Sequence, residues 1–297
     1  MTIITIGQII LVMFLWSICF PLITVGIEFA PHLTFATLRA LMAGVALTAL
    51  AIALRRPWPQ GCRIWIILSI VGAGATSLGF FGMFHAAEFV SPGIATVIAN
   101  TQPLMAAILA GILLNERLTA QGKVGLLIGF IGILVISSSQ FFSGGSENYA
   151  LGVTYIVLAA VGITVSNVLI KKIAGKIDVL MAMGLQMLIG SIPLAIAAFM
   201  IEEPAEIQWS FTFIIALTIL SLLGTSFVYW LWYTILIKVP LNRANAFSFL
   251  VPIFGLAMGV MFYDESLTWP QYTGIVLAIL GVTLVTRHGT VPDKSSA

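Results

Sequence analysis

Long apolar runs alternate with short polar stretches along the whole chain. A helix that crosses a bilayer needs about 20 mainly apolar residues, and backbone polar groups in lipid must bond within their own segment, which makes such runs helical. The period-two alternation typical of a membrane barrel does not occur. The pattern predicts an all-α integral membrane protein with ten spanning helices, at residues 4–26, 34–54, 64–84, 92–114, 122–140, 150–170, 178–200, 211–236, 243–262 and 271–287.

The composition is typical of a protein that lies within a lipid bilayer. Sixty per cent of the 297 residues are hydrophobic and 8% are charged, whereas soluble globular domains carry about 25% charged residues. The net charge of +2 indicates no nucleic-acid partner. Cys19 and Cys62 are too few for a disulfide framework and belong to no metal or redox motif, so no cofactor and no metal are expected.

The basic residues predict the orientation, because Lys and Arg are enriched in cytoplasmic loops. With both termini in the cytoplasm, twelve of the thirteen basic residues fall inside and most acidic residues fall outside. The first run lacks a basic leader and a cleavage site, so it is expected to stay in the membrane. The expected location is the inner (cytoplasmic) membrane, with a multi-pass topology and a short cytoplasmic tail at 291–297.

Two similar passages indicate an internal duplication. LLNERLT closes the fourth run and FYDESLT closes the ninth, 149 residues later. The same offset aligns other pairs along the chain: Glu116 with Glu265, Pro103 with Pro252, and Thr76-Ser77 with Thr225-Ser226. We therefore predict two related units, at 1–145 and 146–290.

Each unit holds five spans, and an odd number decides the geometry. The second unit must cross the membrane in the opposite direction to the first. Inverted repeats of this kind are found in many secondary transporters, which bind their substrate near the midplane where the halves meet. The sequence thus predicts two five-helix inverted-topology repeats around a central site.

The chain resembles the drug/metabolite transporter superfamily, in its ten-helix bacterial exporter branch built from two EamA-type domains. The resemblance rests on TQPLMAAILAGILLNERLT at 101–119 and LVPIFGLAMGVMFYDESLT at 250–268, with Trp16-Ser17 and Leu38-Arg39 in the first two runs. It implies an alternating-access carrier of small metabolites, often an exporter of amino acids, without an ATPase. The second unit has Val165 and Leu188 where the first has Trp16 and Arg39, so the site is expected to be asymmetric.

Arg39 is the basic residue that lies within a span. An intramembrane Arg costs roughly 2.5–3.5 kcal/mol on insertion scales and is usually functional or paired. It is a candidate to bind a substrate carboxylate in a bidentate fork. Two alternatives stay open: the side chain reaches the headgroups by snorkelling, or it pairs with Glu28 or Glu88 as an outer gate.

Polar and aromatic residues of the third and eighth runs make a second group of candidates. Thr76 and Phe80 share one helix face, and Thr225 and Tyr229 share the matching face. An aromatic-walled cavity would suit an aromatic or amphipathic solute. The alternative is an aromatic belt at headgroup depth.

The fourth and ninth runs each carry a polar stripe that ends in a proline. Both patterns favour a substrate site with a bending point, since buried amides need partners and a proline frees a carbonyl one turn before it. Ordinary hydrogen bonding between helices is the alternative. The residues are Asn100 with Pro103, and Asn245 and Ser248 with Pro252.

The remaining candidates lie in the first, third and sixth runs. Trp16 and Ser17 are mid-span, as is Asn167, and all three are predicted to line the cavity. His85 and Glu88 at the outer end of the third run are predicted to gate it, and proton coupling through them is open because His titrates near neutral pH. Glu116 and Glu265 are expected to tie the fourth run to the fifth and the ninth to the tenth.

These observations favour a secondary transporter that exports small organic metabolites, with the lipid bilayer and a small-molecule substrate as its partners. A nucleotide-sugar or other metabolite exchanger is the alternative, although a diphosphate would call for more deep basic residues than Arg39. A channel or an intramembrane enzyme is disfavoured, because no full-length polar face and no catalytic motif occur. Gly125 and Gly129 form a G-x-x-x-G pair that suits either a dimer face or internal packing, which leaves monomer and homodimer open.

Overall fold

The computed structural model describes residues 1–86, 89–90, 92–138, 149–202, 207–263 and 266–288. Within them, ten helices are long and apolar enough to cross a membrane, which confirms the predicted number. In chain order they are α1 (Ile3–Ile27), α2 (His32–Ala53), α3 (Cys62–His85), α4 (Pro92–Ala99 and Gln102–Leu113), α5 (Ala120–Ser137), α6 (Tyr149–Lys172), α7 (Val179–Ile201), α8 (Phe211–Lys238), α9 (Leu241–Ala246, Phe247–Phe249 and Leu250–Tyr263) and α10 (Trp269–His288).

The helices pack as two equivalent halves. Helix α1 contacts α8 and α9, and its counterpart α6 contacts α3 and α4. Helix α2 contacts α8, and its counterpart α7 contacts α3. The α2–α7 and α5–α10 pairs join a helix of one half to the same helix of the other. Each of these contacts thus has a mate in the other half, as expected of a duplicated five-helix unit.

The helix ends meet in two groups, which we name by one residue of each. The Lys171 face holds the ends of α2, α4 and α6 and the starts of α7 and α9, where Arg56 lies 3.8 Å from Asp178. The His85 face holds the ends of α1, α3 and α7 and the starts of α2 and α8, where the Gln208 N–H donates to the Phe29 carbonyl. This alternation is what ten successive crossings require.

Glycines bring α5 and α10 into backbone contact. A Cβ on Gly132 would lie 2.6 Å from the Ala278 nitrogen and 2.7 Å from the Gly274 carbonyl oxygen. A Cβ on Gly125 would lie 3.0 Å from the Gly281 carbonyl oxygen. Packing of small residues is the main attraction between helices in lipid. The glycine stripe of α5 therefore serves internal packing, and not a dimer face.

Two π-helical segments interrupt α3 and α8 at matching places, Gly72–Leu78 and Leu222–Phe227. Each contains the repeated Thr-Ser pair. The Ser226 hydroxyl donates to the carbonyl of Ser221, five residues back, over 3.0 Å. The Ser77 hydroxyl donates to the Gly190 carbonyl of α7 over 2.6 Å and lies 3.4 Å from the Gly72 carbonyl, five residues back. Such π-bulges are rare and frequently mark functional sites.

Candidate functional site

Arg39 lies inside the helix bundle and points across the repeat interface. Its Nε donates to Thr225 Oγ1 on α8 over 2.7 Å, and its Nη2 lies 3.7 Å from Cys19 Sγ on α1. The guanidinium carbon sits 4.6 Å from the centre of the Phe80 ring on α3. The side chain is 5% exposed. Three helices besides its own therefore hold the guanidinium in place.

No carboxylate of the described residues lies within ion-pair distance of Arg39. Pairing with Glu28 does not occur, since Glu28 is exposed at the end of α1, and Glu88 lies outside the described residues. Snorkelling does not occur either, because the guanidinium is buried between α1, α3 and α8. Within the described part of the chain, the two Nη1 hydrogens have no acceptor.

The π-helical turn of α8 orients the Thr225 hydroxyl that accepts the hydrogen bond from Arg39. The Thr225 hydroxyl donates to the Leu220 carbonyl, five residues back, over 2.9 Å. Because a hydroxyl has one hydrogen and two lone pairs, that bond leaves the oxygen free to accept from Arg39. The Cys19 thiol lies 3.6 Å from the carbonyl of Gly224 in the same turn. The widened turn thus offers the Thr225 hydroxyl to Arg39 and the Gly224 carbonyl to the Cys19 thiol of α1.

An aromatic cluster lies beside Arg39. The Trp16 ring of α1 packs edge-on against Tyr229 at 6.2 Å and against Trp232 at 5.3 Å. The Trp232 indole N–H donates to Asn167 Oδ1 over 3.3 Å, which ties α8 to α6. Tyr229 also packs against Tyr233 at 6.3 Å. Trp16, Asn167 and Tyr229 are therefore brought together within the helix bundle.

Three other candidates bond elsewhere. Thr76 is fully buried and donates to Gln186 Oε1 on α7 over 2.9 Å. Ser17 donates to the Phe14 carbonyl of its own helix over 2.7 Å. Asn100 donates through Nδ2 to the Thr96 carbonyl over 2.8 Å. None of these three bonds to Arg39, and their part in binding stays a prediction.

The candidates of α9 have unused polar atoms. Asn245 is 2% exposed, and its Nδ2 has no hydrogen-bond partner among the described residues. The Ser248 hydroxyl likewise has none there. Buried polar groups are nearly always satisfied, so these two atoms suit a bound polar molecule or a change in the packing of α9.

Both predicted proline hinges coincide with breaks in the helix. The α-helical geometry of α4 stops at Ala99 and resumes at Gln102, with Pro103 in the new first turn. In α9 a short 3₁₀ segment, Phe247–Phe249, precedes the piece that contains Pro252. A proline fits a first helical turn because that turn needs no N–H partner. The two breaks divide α4 and α9 at matching depths.

The Lys171 face is closed around Glu116. One carboxylate oxygen lies 2.8 Å from Lys171 Nζ at the end of α6, and the other accepts the Leu241 N–H at the start of α9 over 2.6 Å. The Asn242 amide donates to the Glu116 carbonyl over 3.0 Å. The expectation that Glu116 ties α4 to α5 is wrong, since it joins α4 to α6 and α9. Glu265 lies outside the described residues.

The His85 face carries a second cluster of ionisable side chains. His85 Nδ1 lies 2.9 Å from His32 Nε2, and His32 Nδ1 lies 3.2 Å from Glu202 Oε1. The predicted gate partner Glu88 lies outside the described residues. Sequence reasoning included His85 and missed His32 and Glu202, although counting the spans places all three on one face.

Cys19 and Leu188 complete the comparison of the two repeats. Cys19 is not among the candidates that the sequence predicts, yet its thiol lies 3.7 Å from Arg39 Nη2. Its place one turn after Trp16 is the signal that could have found it. Leu188, which matches Arg39 in the second repeat, packs against α2, where a Cβ on Gly44 would meet its side chain at 2.9 Å. The centre is therefore asymmetric in charge, as the sequence predicts.

Two inverted helix repeats that enclose a buried arginine and an aromatic wall define a membrane transporter. The chain belongs to the EamA-like transporter family, whose model matches residues 3–138 and 150–287. It is a multi-pass protein of the inner membrane that moves a small molecule, and it is a transporter rather than an enzyme.

Similar proteins cover almost the whole chain. It is 25% identical over 281 residues to the uncharacterized transporter YvbV of Bacillus subtilis. This alignment covers 91% of this chain and 88% of YvbV. It is 30% identical over 281 residues to a probable amino-acid metabolite efflux pump of Escherichia coli. This alignment covers 92% of this chain and 91% of the efflux pump. A protein of solved crystal structure matches the fold with a TM-score of 0.83 at 18% identity, over 95% of this chain and 98% of that one.

Proposed function

We propose that this transporter exports amino acids or related small carboxylates by alternating access, with Arg39 as the group that binds the carboxylate. Two lines support the proposal. The probable efflux pump of Escherichia coli, similar over nearly its full length, is named for amino-acid metabolites. Arg39 is a buried cation that lacks a carboxylate among the described residues.

The unpaired charge of Arg39 is the observation that carries the proposal. A buried charge without a partner is destabilising. Thr225 and Cys19 engage Nε and one Nη2 hydrogen of Arg39, so one Nη1 and one Nη2 hydrogen remain side by side as a fixed fork. Such a fork matches the two oxygens of a carboxylate. A solute carboxylate would supply the missing negative charge and two charge-assisted hydrogen bonds.

The aromatic cluster suggests which carboxylates fit best. Trp16, Tyr229 and Trp232 lie beside the arginine, and Phe80 covers one face of its guanidinium. Indole and phenol rings attract both apolar side chains and ammonium groups. An amino acid with an aromatic or amphipathic side chain would place its carboxylate on Arg39 and its ammonium or side chain against Trp16.

The direction of transport and the orientation belong to the same proposal. With the Lys171 face in the cytoplasm, both termini are cytoplasmic and the basic loops obey the positive-inside rule. Glu116, Lys171 and Leu241 would then form the cytoplasmic gate.

The proposed working unit is a monomer. One chain supplies both repeats and both faces, and helix α10 packs against the glycines of α5.

Counterflow in liposomes tests the proposal. Purified protein is reconstituted with an excess of unlabelled amino acid inside, and uptake of the labelled amino acid is followed for wild type, Arg39→Gln, Arg39→Lys and the control Arg63→Gln. Arg63 is exposed at the start of α3. We expect wild type and Arg63→Gln to accumulate the label. Arg39→Gln should accumulate at least tenfold less label than wild type, and Arg39→Lys an amount between the two. Full counterflow by Arg39→Gln would contradict the role of Arg39.

A further inference from the structure

Buried polar atoms without a hydrogen-bond partner are concentrated at the start of α9. Among the described residues, seven buried side-chain nitrogen and oxygen atoms have no partner. Four of the seven belong to residues 242–248, namely Asn242 Oδ1, Arg243 Nε, Asn245 Nδ2 and the Ser248 hydroxyl. Because buried polar groups are nearly always satisfied in native structures, this concentration within two helical turns calls for a functional explanation.

Three of these residues lie on one side of α9. Asn242, Asn245 and Ser248 are spaced three residues apart, and residues at that spacing are neighbours on a helix surface. The 3₁₀ segment Phe247–Phe249 keeps Ser248 in line with Asn245, because residues three apart are eclipsed in a 3₁₀ helix. The set extends over about 9 Å along the helix axis. We name Asn242, Asn245 and Ser248 the polar stripe.

The polar stripe begins directly behind the closed Lys171 face. The Asn242 amide nitrogen donates to the Glu116 carbonyl over 3.0 Å, and the Glu116 carboxylate accepts the neighbouring Leu241 N–H over 2.6 Å. At the other end of the stripe, the 3₁₀ segment contacts α1, the helix that carries Trp16. The stripe therefore runs inward from the gate, toward the helices that surround Arg39.

The polar stripe offers both an acceptor and donors. The Glu116 carbonyl can only accept, so the amide nitrogen of Asn242 faces it and the amide oxygen is left for the stripe. Asn245 contributes an amide nitrogen, which donates, and the Ser248 hydroxyl can donate or accept. A solute with an ammonium and a carboxylate matches both kinds of group. A simple carboxylate matches the donors and leaves the Asn242 oxygen unpaired.

The closed Lys171 face keeps the polar stripe buried. Asn242 and Asn245 are 1% and 2% exposed. Helices α4, α8 and α10 contact this part of α9, and Glu116 at the end of α4 holds its first turn through the Leu241 N–H. Release of Glu116 would let α4 separate from the start of α9 and would free the two amides. A solute that bonds to the freed amides favours the open form, because it binds that form better than the closed one.

We propose that the polar stripe is a second solute site, which binds a zwitterionic amino acid while the Lys171 face is open. The ammonium bonds to Asn242 Oδ1, and the carboxylate accepts from Asn245 Nδ2 and the Ser248 hydroxyl. The amino acid passes between this site and Arg39 on its way through the gate. The identity of the solute rests on the proposed function, and the stripe narrows it from carboxylates in general to those that also carry an ammonium.

Solute protection of a thiol in the polar stripe tests the proposal. Ser248→Cys is made in Cys62→Ser protein, and peptide mass spectrometry separates alkylation at position 248 from alkylation at Cys19. Maleimide alkylation is followed in nanodiscs at about pH 7, where phenylalanine is zwitterionic. The solutes compared are phenylalanine, 3-phenylpropionate, which lacks the ammonium, and phenethylamine, which lacks the carboxylate. We expect phenylalanine to slow alkylation at position 248 severalfold, and the other two compounds to slow it much less.

Two further variants separate the polar stripe from the central site. In Arg39→Gln protein, phenylalanine should still protect position 248, because the stripe binds the solute without the guanidinium. Asn245→Leu keeps the size of asparagine without its amide and should abolish the protection. Gln8→Leu, which removes an exposed amide from α1, is the matched control and should keep it.

Loss of protection in Arg39→Gln protein would overturn the proposal, as would equal protection by the three compounds. If Ser248→Cys does not fold, competition in counterflow decides. Asn245→Leu should then weaken competition by phenylalanine about tenfold more than competition by 3-phenylpropionate, as expected for the loss of a hydrogen bond to a charged group, and equal losses would overturn the proposal.

The proposed function and the second site can fail separately. Counterflow of phenylalanine without protection at position 248 would overturn the second site and leave the proposed function in place. An absence of counterflow for every amino acid would overturn the proposed function, and protection at position 248 would then judge the polar stripe by itself.

Discussion

Arg39 Nε and Thr225 Oγ1 lie 2.7 Å apart and join the two repeats at the centre of the bundle. The arginine comes from α2 of the first repeat and the threonine from a π-helical turn of α8 in the second. Neither repeat has the pair by itself, because Leu188 stands at the second repeat's Arg39 position and α3 uses Thr76 to bond Gln186 instead. The duplication has thus diverged, and only the first repeat supplies a guanidinium at this position.

Thr225→Val should weaken solute binding while keeping the fold. Valine has the shape of threonine but offers no acceptor to Arg39 Nε. A hydrogen bond to a charged group contributes about 1.5–3 kcal/mol, so the apparent affinity in counterflow should fall about ten- to a hundredfold. Thr164→Val is the matched control, since Thr164 is fully buried and donates only to the Ala160 carbonyl of its own helix. Equal affinities for the two variants would contradict the role of Thr225.

Trp16→Ala should affect aromatic solutes more than small ones. The indole packs against Tyr229 and Trp232 beside the arginine, and an aromatic pair contributes about 0.5–1.5 kcal/mol beyond area burial. Competition of unlabelled phenylalanine against a labelled substrate should weaken about two- to tenfold relative to competition by alanine. Trp16→Phe should keep most of the preference. A uniform loss for both competitors would place Trp16 in packing and not in the wall of the site.

Glu116→Gln should loosen the closed Lys171 face. The amide keeps an acceptor for the Leu241 N–H but loses the charge that pairs with Lys171. In Cys62→Ser protein the remaining cysteine, Cys19, lies beside Arg39, and its alkylation by an impermeant maleimide on the Lys171 face reports opening of that face. The rate should rise severalfold.

Asp178→Asn is the control for Glu116→Gln. Asp178 lies on the same face, 3.8 Å from Arg56, and caps α7 by accepting the Met181 N–H. Asparagine caps a helix about as well as aspartate, so this variant removes a charge pair without opening a gate. A rise in Cys19 alkylation as large as that of Glu116→Gln would show that any lost charge on this face has the same effect.

Gly132→Ala should lower the stability of the bundle. The added Cβ would meet backbone atoms of α10 at 2.6 and 2.7 Å, and backbone cannot move aside as a side-chain end can. Overpacking of this kind costs typically about 1–3 kcal/mol. The melting temperature in detergent should fall, whereas Gly7→Ala should not lower it, because a Cβ on Gly7 meets nothing within 4 Å. An unchanged melting temperature for Gly132→Ala would mean that α5 and α10 are not in close contact.

The elements that could be predicted from the sequence are those that depend on local pattern. Apolar length fixed ten helices, and their observed ends fall within a few residues of the predicted ones. The repeated Glu-x-Leu-Thr and proline indicated the duplication, and an odd number of spans required the inversion. Arg39 was recognised because a charge in an apolar run is conspicuous. Each of these signals is contained in one segment or in a comparison of two.

By itself, the sequence determined the class, the inverted repeat and the presence of an arginine within a span, because the bilayer forces apolar runs into helices and makes every internal charge expensive. The partners of those residues were decided by the tertiary structure. The acceptor of Arg39 on α8, the link from Glu116 to α6 and α9, and the chain from Glu202 to His85 each join helices that are remote in sequence. Hydrophobic periodicity specifies that a helix forms, whereas the shapes of its neighbours select which side chains meet.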